Sequence, residues 1–229
     1  MTSVLGAQVL LLDLDGVVFR HPTAFARLHA RVGEFVASRV PDSCAAREVH
    51  NALFRSHGHT LLGMREQLGD TSSIETFNRF VFDAAMIDEV RRIPRPNDTM
   101  RHSAAVRQLV AHARSHGTDT YIFSNAPRNW VAMALSATGL SFEPDHVIVG
   151  EELGFLKPQR EAYAAVEARF GAAGRLIFVD DSQLNVLSAP NNGRWFSILY
   201  DANASVPEYC PHASCCTTVK NLNDVARYV

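Results

Sequence analysis

Pairs of acidic residues follow apolar segments at two places in this sequence. Asp13 and Asp15 come after the apolar run Ala7–Leu12, and Asp180 and Asp181 come after a second apolar run. Clustered carboxylates raise one another's pKa, so several at one site favour a bound cation. Oxygen-only ligands suit Mg²⁺. The spacing of Asp13 and Asp15 around a turn at Gly16 also fits a carboxylate nucleophile beside a general acid and base.

Polar residues also stand at two further places where apolar segments end. Ser124 and Asn125 follow Thr120–Phe123, and Lys157 precedes Pro158 and a helical segment. A hydroxyl, backbone N–H groups and an ammonium can together hold an anion beside a metal. The whole set therefore predicts phosphoryl transfer, in which positioning and charge neutralisation provide most of the catalysis. Taken singly, each of these residues is as well explained as a turn, a cap or a surface residue.

The elements that would position these residues alternate between strand and helix. We predict buried strands at five apolar segments, with helices between most of them: Ala7–Leu12, Thr120–Phe123, His146–Val149, Leu176–Val179 and Trp195–Leu199. This pattern is typical of an α/β, Rossmann-like doubly wound parallel sheet. In such sheets ligands bind at the carboxyl ends of the strands, where the polar residues fall.

A long segment between the first two strands has only helical periodicity. Helices are predicted around Phe25–Val36, around Ala45–Arg55, and from Ser72 or Ser73 onward, where Ile74, Phe77, Val81 and Ala84 form one apolar stripe. We therefore expect residues 20–96 to form an inserted all-helical cap domain. Residues 1–19 and 97–229 would form the α/β core domain.

The ordered motifs resemble those of the haloacid dehalogenase-like (HAD) hydrolases. The chain carries Asp13-Leu14-Asp15-Gly16-Val17-Val18, then Phe123-Ser124-Asn125, then Lys157-Pro158, then Val179-Asp180-Asp181-Ser182. The resemblance implies that Asp13 is the nucleophile and Asp15 the acid and base. It also implies a Mg²⁺ site formed by Asp13, the Asp15 carbonyl and Asp181, with Asp180 close by, and a phosphate site that includes Ser124 and Lys157. We expect Asn125 to contribute to the phosphate site as well. An acid at position 15 places the chain with the phosphatase branch, because the dehalogenase branch lacks it.

A narrower resemblance lies within the helical segment. Leu53–Met64 is similar to a Tyr-Gly-x-Thr-x-x-Gly-Leu segment of pyrimidine 5′-nucleotidases, although His57 stands in place of the Tyr. Ser124-Asn125-Ala126 also resembles that group. The resemblance implies that His57 and Thr60 contribute to substrate specificity. The stretch around Pro190 departs from the pattern, and a proline there would shorten the helix.

Composition limits the other possibilities. The 229 residues are 47% hydrophobic and 20% charged, with a formal net charge of −2. These values indicate a globular protein and argue against bulk electrostatic binding of nucleic acid or of anionic membranes. No apolar run approaches a membrane span. The four cysteines are unevenly spaced, which argues against a disulfide framework, so we expect a cytoplasmic protein with reduced thiols. The Cys210–Cys216 segment fits a loop better than a zinc site.

The sequence thus predicts a Mg²⁺-dependent phosphomonoester hydrolase that acts through an aspartyl-phosphate on a nucleoside 5′-monophosphate or a similar small metabolite. Three alternatives stay open. They are a sugar-phosphate or phosphoglycolate-type phosphatase, a phosphomutase, and a non-catalytic binding protein with the same fold. The oligomeric state is not indicated.

Overall fold

A six-stranded parallel sheet forms the centre of the molecule in a computed structural model, which describes residues 8–40, 43–171, 174–203 and 216–229. The strands are β1 (Val9–Leu12), β2 (Asp119–Ser124), β3 (Val147–Val149), β4 (Leu176–Asp180), β5 (Trp195–Tyr200) and β6 (Cys216–Val219). Their order is β3-β2-β1-β4-β5-β6, and every neighbouring pair is parallel.

Strand β1 is central and apolar on both faces, which is what a strand covered on both sides requires. Successive side chains point to opposite faces. Leu10 and Leu12 accordingly belong to one buried cluster, whereas Leu11 belongs to another. All three leucines are fully buried. Burial on both faces fixes the position of β1 and therefore the position of the acidic turn that follows it.

Between Arg20 and Pro96, the described residues form helices and the loops that join them, with no strand. The α-helices are α1 (Pro22–Ala37), α2 (Ala46–His57), α3 (Thr60–Leu68), α4 (Ile74–Val81) and α5 (Ala84–Arg92). Side chains cap the N-termini of several of them; Ser73, for example, accepts a hydrogen bond from the Thr76 N–H at 3.0 Å. Apolar residues of these helices join the same buried cluster as one face of the sheet. This segment is called the helical insert below.

The remaining helices cover the two faces of the sheet. They are α6 (Asn97–Ser115), α7 (Arg128–Thr138), α8 (Gly150–Leu153), α9 (Arg160–Phe170) and α10 (Gln183–Ser188). Val106 of α6 and Val131 of α7 pack in the cluster of one face, and Val166 of α9 packs in that of the other. The predicted α/β, Rossmann-like doubly wound parallel sheet is confirmed.

Some expected details differ from the structure. The single helix expected from Ser72 or Ser73 through Ala84 is two helices, because Asp83 caps a new helix by accepting from the Met86 N–H at 2.8 Å.

Strand β6 is not among the strands that the sequence predicts. It begins at Cys216, which is disulfide-bonded, so the expectation of reduced thiols is wrong for this cysteine. The residues Cys210–Cys215 lie outside the described part of the chain.

A helix must be long and apolar to cross a bilayer. Within the described ranges, none is long and apolar enough to cross a membrane.

Candidate active site

The turn after β1 brings the first acidic pair to the carboxyl edge of the sheet. The Asp13 N–H donates to the Val179 carbonyl at 2.8 Å, so the residue directly after β1 is still tied to β4. Gly16 follows with φ of +92°, and a Cβ on it would lie 1.9 Å from Oδ2 of Asp181. Glycine is therefore required here both for the backbone conformation and for the close approach of Asp181.

Lys157 is the centre of a buried charge network. Its ammonium lies 2.7 Å from Asp13 Oδ1, 2.7 Å from Asp180 Oδ2 and 2.7 Å from the Phe123 carbonyl oxygen. These three contacts use all three ammonium hydrogens. The side chain is 1% exposed. The two carboxylates outweigh the cost of burial and raise the pKa of Lys157, so the amine stays charged.

Asp180 and Asp181 are adjacent but differ in their surroundings. Asp180 is fully buried, and its oxygens accept from the Ser182 N–H, from the Asn185 amide and from Lys157. Asp181 is exposed and lines the cleft. Partial desolvation by the surrounding protein, followed by the charge of Asp180, raises the pKa of Asp181 to about 7. Asp181 is thus the carboxylate that faces the cleft, and Asp180 positions the lysine.

Three carboxylates converge at this point. One oxygen each from Asp13, Asp180 and Asp181 lies within 4.8 Å of the others. Burial first, and then Asp180 and Asp181, push the pKa of Asp13 well above its usual range against the pull of Lys157. One ammonium does not balance three carboxylates, so the donor set fits a hard divalent cation such as Mg²⁺.

Asp15 lies on the same turn and is held by a tryptophan. The Trp130 indole N–H donates to both Asp15 oxygens, at 2.9 and 3.2 Å. Burial raises the pKa of Asp15 to about 6, and the hydrogen bond from Trp130 opposes that shift. A carboxyl that titrates near neutral pH can both give and take a proton. No sequence motif marked Trp130, whose only signal is its place in the first turn of the helix after Ser124.

Ser124 and Asn125 end strand β2 beside this group, but they differ in what they can bind. The Ser124 oxygen accepts from the Ala126 N–H at 3.0 Å, which leaves the hydroxyl hydrogen for an oxygen in the cleft. Asn125 instead pairs with the Lys157 backbone, donating to its carbonyl and accepting from its N–H, each at 2.8 Å. The side chain of Asn125 therefore positions the lysine loop and is not free for phosphate.

The helical insert forms the opposite wall of a cleft of about 290 Å³ that contains these groups. Thr60 lines it, but its hydroxyl is bonded to His50 Nδ1 at 2.8 Å. His57 is not among the lining residues, and its ring contacts the Leu53 carbonyl and Glu66. His59 lines the cleft instead. The segment singled out in the sequence thus reaches the cleft through His59 and Thr60, and spacing alone does not show which histidine faces inward.

The structure therefore brings together most of the residues singled out in the sequence. The following line one cleft: Asp13, Asp15, Thr60, Ser124, Asn125, Lys157 and Asp181. Asp180 lies directly behind them, bonded to Lys157, and His57 lies apart.

A parallel sheet with an acidic cleft at its carboxyl edge, covered by a helical insert, defines an α/β enzyme fold. The chain belongs to the haloacid dehalogenase-like hydrolases, whose family model matches residues 7–193. No curated protein sequence matches the chain.

Solved structures of the same fold include both dehalogenases and phosphatases. An L-2-haloacid dehalogenase from Xanthobacter autotrophicus is 15% identical, with a TM-score of 0.54 over 96% of this chain and 97% of that one. A HAD phosphatase from Thermococcus onnurineus is 16% identical, with a TM-score of 0.57 over 96% and 97%. A magnesium-bound HAD hydrolase from Bacillus subtilis is 17% identical, with a TM-score of 0.56 over 97% and 98%. At these identities the likeness shows the fold alone.

Proposed function

We propose that this hydrolase is a Mg²⁺-dependent phosphomonoesterase that acts through an aspartyl-phosphate at Asp13. The observation that carries the proposal is Asp15, a second carboxyl group on the same turn with a pKa raised to about 6. A halide leaves carbon without needing a proton, whereas the alkoxide of a phosphate ester does need one. A proton donor beside the nucleophile therefore favours ester cleavage over dehalogenation.

In this proposal each residue of the site has a defined role in the reaction. The Ser124 hydroxyl and the positive charge of Lys157 orient the phosphoryl group in the cleft. A carboxylate oxygen of Asp13 attacks phosphorus as the bond to the leaving oxygen breaks, and Asp15 gives that oxygen its proton. Asp15 then accepts a proton from water as the water oxygen attacks phosphorus and frees Asp13.

The metal would be held by Asp13 and Asp181, with Asp180 behind them. When bound, Mg²⁺ supplies positive charge that offsets both the carboxylates and the phosphoryl oxygens. The acidic cluster described above supports this assignment.

We also propose that residues 20–96 act as a cap domain over a core of residues 1–19 and 97–229. A cap that closes excludes water and selects the leaving group. The Bacillus subtilis hydrolase is described as showing interdomain movement, which supports such a role.

For the substrate we propose a nucleoside 5′-monophosphate or a similar small metabolite. His59 and Thr60, in the segment that resembles that of nucleotidases, line the cleft and support this proposal.

The test is release of inorganic phosphate from nucleoside monophosphates and sugar phosphates, with Mg²⁺ and with a chelator. Halide release from 2-haloacids is measured in parallel. We expect metal-dependent phosphate release that disappears in Asp13→Asn. Halide release without phosphate release would show a dehalogenase. Release of neither by folded protein would favour a binding protein.

A further inference from the structure

The two walls of the cleft differ in chemical character. The core wall carries the carboxylates, the serine and Lys157 described above. The wall formed by the insert, called the cap wall here, is mostly apolar and aromatic. Its members used below are Phe25, His29, His50, Phe54 and His59. Phe54 is 43% exposed at the cleft and lies edge-on to His29, with ring centroids 6.1 Å apart.

The cap wall holds no fixed charge. Within the described ranges, Lys157 is the only lysine or arginine that lines the cleft, and all the lining carboxylates belong to the core wall. The histidines do not supply a cation at neutral pH. Burial lowers the pKa of His29, and burial followed by a neighbouring charge lowers the pKa of His50 and of His59 to about 4.

Geometry also limits the charge that two of these histidines can carry together. His29 Nδ1 and His50 Nε2 are 2.9 Å apart. A hydrogen bond between two ring nitrogens needs one donor and one acceptor, so the pair cannot carry two protonated rings. The other nitrogen of His50 is bonded to Thr60.

Most polar groups of the cap wall already have partners. Thr60 and His50 are bonded to each other, and the Nδ1 of His59 accepts from the Leu61 N–H at 3.2 Å. One ring nitrogen each on His29 and His59 has no further bond among those described. A sugar with many hydroxyls would therefore lose more hydrogen bonds to water than these two nitrogens could replace.

We infer that the cap wall selects phosphomonoesters whose leaving group carries an uncharged aromatic ring, as a nucleoside does, and discriminates against carboxylated leaving groups and against sugars that carry no such ring. This inference rests on the proposed phosphatase activity and narrows its substrate class. A ring buries apolar surface against Phe54 and Phe25, which are exposed and partly exposed, respectively. A carboxylate would be desolvated there without a counter-ion.

The test compares esters whose leaving alcohols have similar acidity, so that intrinsic reactivity does not decide the result. Benzyl phosphate, phosphoglycolate and glycerol phosphate are hydrolysed with Mg²⁺, and kcat/KM is measured. We expect benzyl phosphate to lead by about tenfold or more, which corresponds to about 1.4 kcal/mol. A lead for phosphoglycolate or glycerol phosphate overturns the inference.

A charge placed on the cap wall sharpens the test. Phe54→Arg should cut the preference for benzyl phosphate over phosphoglycolate by about fivefold, the upper range for an exposed ion pair. Ala52→Arg is the matched control, because Ala52 is exposed on the same helix but does not line the cleft. Equal changes in both variants overturn the inference.

Binding of inert phosphonates separates this inference from the proposed activity. Calorimetry with Mg²⁺ should show tighter binding of benzylphosphonate than of phosphonoacetate. If that preference is found while no ester releases phosphate, the proposed hydrolysis is wrong and the selectivity of the cap wall stands. If phosphate is released but phosphonoacetate binds more tightly, the selectivity is wrong and the activity stands.

Discussion

Lys157 is the counter-charge of two buried carboxylates, those of Asp13 and Asp180. Removing one member of such a network costs about 3–5 kcal/mol, because the remaining charges stay buried. We therefore expect Lys157→Met to lower the free energy of unfolding by that amount in denaturant titrations, and to abolish turnover. Arg55→Met, on the exposed surface of α2, should change stability by about 0.5 kcal/mol or less. A stable but inactive Lys157→Met protein would contradict the structural part of this argument.

The carboxyl groups of the site make stability depend on pH in a defined direction. The pKa is raised to about 6 for Asp15, chiefly by burial, and to about 7 for Asp181, by partial desolvation and then by the charge of Asp180. A raised pKa means that the folded state holds its proton longer than the unfolded state. The resulting stabilisation is present below about pH 4 and is lost as pH rises through 6 to 7.

Mg²⁺ should restore the stability that is lost at high pH, because it binds the ionised carboxylates of the folded state. We expect the rise in Tm on adding Mg²⁺ to be larger at pH 8 than at pH 5.5. Asp181→Asn should remove most of the difference. A rise in Tm that does not change with pH would argue against a metal bound by these carboxylates.

Which residues meet at the site could be predicted from the sequence, but not what each side chain contacts. Residues at the ends of parallel strands must converge, and so Asp13, Ser124 and Asp181 were found. The division of roles between Asp180 and Asp181 depends on side-chain direction and burial, which spacing alone does not reveal. Spacing also does not reveal that Asn125 pairs with the backbone of Lys157, or that His57 does not line the cleft.

At the scale of elements, apolar runs predicted five strands because strands buried on both faces are apolar throughout. Strand β6 was missed because Cys216–Val219 is short and half polar, as an edge strand with partly buried positions can be. The break between α4 and α5 was missed because apolar periodicity continues across it. Helix α10 has six residues and ends before Pro190, in agreement with the expected effect of that proline.

Gly58, the residue that ends α2, is the helix end whose substitution we expect to affect the site most. It ends α2 with φ of +71°, and a Cβ there would lie 3.1 Å from Pro158 Cδ, next to Lys157. Gly69 ends α3 with φ of +66°, and a Cβ there would meet nothing within 4 Å. Gly58→Ala and Gly69→Ala should each lose about 1–2 kcal/mol of stability, the cost of a left-handed non-glycine residue.

Turnover should separate the two variants. Only Gly58→Ala presses on the lysine loop, so only this variant should also lower kcat when both are assayed below their unfolding temperatures. Equal kcat values would show that the loop yields to the extra methyl group.

At the scale of the whole molecule, few polar contacts join the insert to the core. Asn78 of α4 donates to Glu151 of α8 at 2.6 Å, and Asn129 of α7 donates to the Phe82 carbonyl at 2.9 Å. Phe82 also packs on Trp130, the partner of Asp15, with ring centroids 5.3 Å apart. The position of the insert is thus physically connected to the proposed proton donor.

Asn78→Ala should weaken the contact between the insert and the core by about 1 kcal/mol, the contribution of one hydrogen bond. We expect KM for the preferred ester to rise several-fold, measured by steady-state kinetics. Asn51→Ala, an exposed change of the same type on α2, should leave KM unchanged. A lower Tm with unaltered KM would show that the contact serves folding alone.

The insert leaves the sheet after β1 and returns, through α6, to β2, the immediate neighbour of β1. His102 of α6 bonds the Val17 carbonyl at 2.8 Å, so the exit and re-entry points are fastened to each other within the core. The strands that carry the reactive groups do not depend on the insert for their pairing. A different helical segment joined between Arg20 and Pro96 would meet the same carboxylates and lysine, and it would need only a residue that packs on Trp130 as Phe82 does. This pair of positions is therefore the natural site for grafting new specificities by chimaera construction.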